Sequence, residues 1–119
     1  MHIEAIREYC LQKKGAIETF PFDESTLVFK VMDKMFALAP LERLPAQVNL
    51  KCDPEKAIEL RKTFDGVVLP GYHMNKKHWN TVILNNLEAR EYKEMIDHSY
   101  NLVVAKLTKK QKEALAAIE

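Results

Sequence analysis

Glycine, cysteine and unbroken apolar stretches are all scarce in this chain. Three glycines in 119 residues leave too few for a glycine-rich phosphate loop or a long flexible linker. The two cysteines, Cys10 and Cys52, lack CxxC spacing, so neither a disulfide framework nor a zinc site is expected. Both stand among apolar neighbours and read as packed, reduced thiols. No apolar run comes near the ~20 residues of a membrane helix, and Glu4, Arg7 and Glu8 interrupt the start where a signal peptide would carry its apolar segment. The expectation is a cytoplasmic protein with no membrane partner. An excess of one charge is missing too: 18 basic side chains face 17 acidic ones, a net charge of +1. A strongly basic domain, the usual footprint of nucleic-acid binding, is therefore not announced, although a balanced total can hide a local field.

What is present is ordinary globular composition, 47% hydrophobic and 29% charged, in a length suited to one domain. Residues 1–107 read as that domain and 108–119 as a basic tail (Lys109, Lys110, Lys112) able to extend as helix. A monomer is the default. Ile3, Ile6 and Cys10 recur at helical spacing and predict a first helix over 2–14, stopped by Lys13-Lys14-Gly15. Residues 16–22 are short and extended, with Pro21 at a strand end. Leu27, Phe29 and Val31 alternate with Val28, Lys30 and Met32, which is strand periodicity. Asp33-Lys34 reads as a two-residue turn into a second strand over 35–39. Val48, Leu50 and Cys52 alternate with Gln47, Asn49 and Lys51 in a further strand. Asp53-Pro54-Glu55 then opens a helix, with Asp as cap and Pro in the first turn. Val67–Leu69 and Trp79–Leu84 add strands, and Asn85-Asn86 offers a cap for a long helix over 87–106. Helices set apart from a run of antiparallel strands make an α+β fold. The N- and C-terminal helices are expected to back one sheet face, a further helix is inserted between strands, and the other face stays open.

Chemistry concentrates in Pro70-Gly71-Tyr72-His73-Met74-Asn75-Lys76-Lys77-His78-Trp79-Asn80-Thr81. Lysines release counterions from phosphates and aromatics stack on bases, so Lys76 and Lys77 with Trp79 can form a nucleic-acid surface. Lys30, Asn49 and Lys51 join it if their strands are neighbours. His73 and His78 are too few ligands for zinc without cysteine or carboxylate nearby. Either can serve as a general base, yet no nucleophile or metal-hydrolase signature accompanies them. Cys52, just before a helix cap, leaves open a thiol of depressed pKa. Against all of these stands plain structure: Trp79 as a packing anchor, Tyr72 and His73 as supports of the Pro70-Gly71 turn. A protein- or small-ligand-binding module on the same face is the alternative to nucleic acid.

The stretches Phe20-Pro21-Phe22-Asp23, Thr26-Leu27-Val28-Phe29-Lys30-Val31, Asn49-Leu50-Lys51-Cys52-Asp53-Pro54, Pro70 to Asn80, and Asp97-His98-Ser99-Tyr100 with Leu102 to Leu107 together resemble the MmcQ/YjbR family. They cover nearly the whole chain in the family's order. The resemblance implies a CyaY-like (frataxin-like) fold and a DNA-binding role through a "double wing" arrangement. By motif it singles out Lys30, Asn49, Lys51, His73, Asn75, Lys76, Lys77, His78, Trp79 and Asn80. Frataxin iron chemistry is not implied, because the first helix offers only Glu4 and Glu8, offset by Arg7, Lys13 and Lys14, and hard cations need clustered oxygens. The expectation is a non-enzymatic protein with no catalytic residue, resident metal or cofactor.

Overall fold

The computed structural model describes residues 2–71 and 74–118. In chain order the elements are α1 (His2–Leu11), β1 (Ala16–Thr19), β2 (Thr26–Val31), β3 (Lys34–Pro40), β4 (Gln47–Lys51), α2 (Pro54–Thr63), β5 (Val68–Pro70), β6 (Trp79–Ile83), α3 (Ala89–Ala105) and α4 (Lys109–Ala116). The strands form one antiparallel sheet in the order β1-β2-β3-β4-β6-β5. The α+β expectation is met, with α2 inserted between strands.

Period-two alternation sends Leu27, Phe29 and Val31 of β2, Val48 and Leu50 of β4 and Val82 of β6 to one face. There they meet Ile6 and Cys10 of α1 and Tyr92, Ile96, Tyr100 and Val103 of α3 in a continuous core. Phe36 stands at its centre, 5.4 Å edge-on from Tyr100 and 6.4 Å from Phe29 between ring centroids. That spacing is favourable for aromatic pairs. Tyr9 of α1 and Lys13, just after its end, both hydrogen-bond the Asp97 carboxylate on α3, Tyr9 at 2.5 Å. The two helices are thereby tied side by side over the sheet.

Three local details differ from the pattern reading. The β2–β3 turn is Met32-Asp33, both at positive φ (48° and 67°), the geometry of a two-residue hairpin loop that follows sheet twist. Val31 is wholly buried and keeps its place in the ladder opposite Lys34, so the loop falls one residue earlier than polarity suggests. The long helix begins at Ala89, capped reciprocally by Glu88 and Glu91. Asn85 and Asn86 lie instead in a 3-10 turn, because Leu84 is fully buried and its N–H bonds to the Ala46 carbonyl. After Leu107 the chain turns and starts a separate helix, capped by Thr108 and Gln111. Leu115 of α4 joins the core beside Gly15, whose φ of 72° and whose lack of a Cβ the contact requires: a Cβ there would stand 2.6 Å from Leu115 Cδ1.

Candidate functional site

The strand residues between the core positions turn to the face away from α1 and α3, and that face is less open than expected: Val28, Leu38, Gln47, Asn49, Trp79 and Thr81 are all buried. Val28, Leu38 and Trp79 form a small apolar cluster there, with Met35 and Met74 packed against it. Register puts Lys51 opposite Trp79 and Asn49 opposite Thr81 on β4 and β6. Thr81 Oγ1 donates to Asn49 Oδ1 at 2.5 Å, so this buried pair is satisfied.

Trp79 is only 8% exposed. The indole is a packing anchor, and its faces are taken up by neighbouring side chains. Its edge still borders two clefts. One, of about 350 Å³, is lined by Lys34, Met35, Lys51, Trp79, Lys106 and the α3 end. The other, of about 230 Å³, is lined by Lys51, Asn75, His78, Trp79 and Lys106. Three ammonium groups thus meet at one end of the sheet. Burial, with the charges of Lys106 and Lys34, pushes the Lys51 ammonium below its ordinary pKa. Among the described residues none of these three lysines forms an ion pair.

Of the residues singled out in the sequence, Lys51, Asn75, His78 and Trp79 come together at these clefts. Lys30 lies on the same face but two strands over, about 10 Å by strand spacing, and its ammonium faces Asp33 at 3.7 Å. Lys76 and Lys77 stand exposed on the turn before β6. That turn is organised by Asn75, whose Oδ1 accepts the Lys77 N–H at 2.9 Å and whose carbonyl accepts the N–H groups of His78 and Trp79. His73 lies outside the described residues.

Asn80 is a correction. Next to Trp79 in a strand, it must point to the opposite face, and it is 2% exposed on the helix side. Its Oδ1 accepts from Arg61 Nε of α2 at 2.8 Å, and the same guanidinium bonds the Lys76 carbonyl. Asn80 therefore fastens α2 to the turn below the site. Asn80→Ala is expected to lower stability by about 1–3 kcal/mol in urea unfolding, and a loss under ~0.5 kcal/mol would mean that Arg61 finds another acceptor.

Lys34 and Lys106 were not foreseen. Polarity assigns Lys34 to the turn, and nothing in the sequence links Lys106 to Lys51, since the end of α3 and the end of β4 meet only in the packed fold. The thiol option also closes. Burial pushes Cys52 up to about 11, outweighing Lys56 and Arg61, so at neutral pH it is a protonated packing group. His98 beside it is pushed down by burial, and its Nε2 accepts the Asp53 N–H at 3.3 Å. No cluster of three or more His, Cys, Asp or Glu that could hold a metal exists among the described residues, and no helix there is long and apolar enough to cross a membrane.

Beside the lysine clefts lies a wider groove of about 490 Å³, walled by Phe22, Met35, Leu38 and Met74 and floored by the Gln47 and Asn49 amides.

Comparison with known proteins gives a consistent set of likenesses. The sequence profile of the YjbR family matches residues 11–102. The chain is 34% identical over 120 residues to the YjbR protein of Escherichia coli K12, covering 99% of this chain and 100% of that one. It is 37% identical over 92 residues to YbdF of Escherichia coli O157:H7, covering 76% and 75%. Among solved structures, a Deinococcus radiodurans protein, DR2400, with a DUF419 domain superimposes with a TM-score of 0.90 at 40% identity, covering 96% of this chain and 87% of that one. A Pseudomonas syringae protein gives 0.72 at 32% identity, covering 86% and 98%. None of these names states an activity, and neither of the solved structures named here is described as a frataxin.

Proposed function

The chain belongs to the YjbR family, and from the geometry of the sheet face away from α1 and α3 we propose that it is a non-enzymatic nucleic-acid-binding protein whose affinity is mainly phosphate-directed. The observation that carries this reading is the convergence of Lys34, Lys51 and Lys106 beside Trp79 without a carboxylate partner among the described residues. Three cations held close together repel one another, and Lys51 is partly desolvated as well. A bound phosphate relieves both costs, and counterion release from the nucleic acid adds to the gain. Net charge near zero is no obstacle, because the field that a ligand meets is local. Lys76 and Lys77 extend the cationic track along the adjoining turn, and His78 adds an imidazole at its edge. A cytoplasmic location, where nucleic acid is available, goes with this reading.

A salt titration tests it. One phosphate each at Lys34, Lys51 and Lys106 contributes about −2 to the log–log slope on a single strand and about −3 on a duplex, and Lys76 and Lys77 add about −1 more. Lys76→Ala with Lys77→Ala is expected to flatten the slope by about 1. No binding of any strand at ~50 mM salt sinks the proposal. The groove favours a second reading, a protein or small-ligand module on the same face. A captured partner that survives nuclease treatment, together with an absent salt slope, would select it.

A further inference from the structure

We propose that the groove beside the lysine clefts receives one unpaired base of a single-stranded nucleic acid whose phosphates lie along Lys34, Lys51 and Lys106. This inference rests on the phosphate-directed reading above and names the form of nucleic acid and the site of its base.

The starting point is Trp79. An indole with 8% of its surface exposed, packed among Val28, Leu38, Met35 and Met74, has no ring face to offer a base. A stacked base must go elsewhere on this face, and the groove is continuous with the cationic end. Met35 borders both the groove and the Lys34–Lys51–Lys106 cleft, while Asn75 borders both the groove and the Lys51–His78 cleft. A strand with phosphates at the lysines therefore has the groove within reach of an adjacent base.

The lining suits that occupant. Its volume of about 490 Å³ falls within the ~300–1,000 Å³ common for ligand sites. Phe22 is 63% exposed at the groove wall, so its ring is free to stack, and Met35 and Met74 supply polarisable sulfur for aromatic contact. On the floor, Gln47 and Asn49 are 6% and 9% exposed, and a side-chain amide presents a donor and an acceptor side by side, the pattern on a base edge. The Thr81 hydroxyl holds Asn49 by its Oδ1, which leaves the amide NH₂ to donate to a ring nitrogen or carbonyl oxygen. A purely apolar ligand would leave these amides unpaired and is disfavoured for that reason. A duplex keeps its bases stacked and paired, so a concave pocket reaches one only after extrusion from the helix. That selects single strands.

The test compares binding of the full-length chain to a short thymidine strand, an all-abasic strand of the same length and a duplex, each titrated with salt by fluorescence anisotropy. The expected result is a thymidine strand bound about 10-fold tighter than the abasic strand at equal salt slope, as base–aromatic stacking supplies. Phe22→Ala, which touches an exposed side chain and spares the core, is expected to remove most of that difference while leaving abasic binding unchanged. Equal affinity for thymidine and abasic strands overturns the base site and leaves the phosphate reading standing. Tighter binding to duplex than to the thymidine strand also overturns it. Absence of all binding overturns the phosphate reading and this inference with it.

Discussion

Replacing Lys34, Lys51 and Lys106 together with alanine is expected to weaken single-strand binding at ~50 mM salt by roughly 10²–10³-fold, because three lost phosphate contacts remove about 2 from the log–log slope across a ~20-fold range of salt. The variant should approach wild-type affinity near 1 M salt, where the counterion term vanishes. The cost falls on binding rather than folding. Lys51 has a pKa depressed in the folded chain, so the unfolded state holds its proton more tightly. Stability linked to Lys51 therefore rises as pH climbs through the folded-state pKa toward the unfolded value, and at neutral pH its charge opposes folding. Removing it relieves that opposition. A folded triple variant with an unchanged salt slope would place the binding cations elsewhere on the molecule.

Ser99→Ala is expected to cost about 2–5 kcal/mol, a large share of the stability of a small domain. Ser99 is wholly buried on α3. Its hydroxyl donates to the Phe36 carbonyl at 2.5 Å and accepts the Lys51 N–H at 2.9 Å. Between β3 and β4 the ladder pairs Ala37 with Leu50 and Leu38 with Asn49, and the hydroxyl bridges the main chains of the two strands just beyond that pairing. Alanine strands a buried donor and a buried acceptor together, and each unmade bond carries a desolvation cost. Urea unfolding should show a lower midpoint at unchanged m-value; a loss under ~0.5 kcal/mol would mean that the two main-chain groups find other partners. Because the same hydroxyl fixes the Lys51 backbone, the variant is also expected to bind a single strand with a shallower salt slope.

The Asp53 cap, the alternation through β2, β4 and β6, and the apolar stripe of α3 were all legible in the chain, because each depends on residues within a few positions of one another. The same local logic carried Lys51 to the clefts, since alternation assigns it to the polar side of its strand, whereas Trp79 was singled out by the motif alone. It failed for Asn80, which the motif groups with Trp79 although strand pleating must separate adjacent residues. It also failed at the turn, where Met32-Asp33 rather than Asp33-Lys34 takes the positive-φ positions, and at Asn85-Asn86, where burial of Leu84 and the Glu88–Glu91 box set the helix start.

By itself, then, the order of residues determined the fold class, the strand faces and the family, because periodicity, caps and turns act over short separations along the chain. Only tertiary structure decided that Lys34 and Lys106 join Lys51, that Trp79 is packed rather than open, and that a groove with buried amides lies beside them. Those outcomes depend on strand order and on where α3 ends over the sheet, and long-range packing sets both.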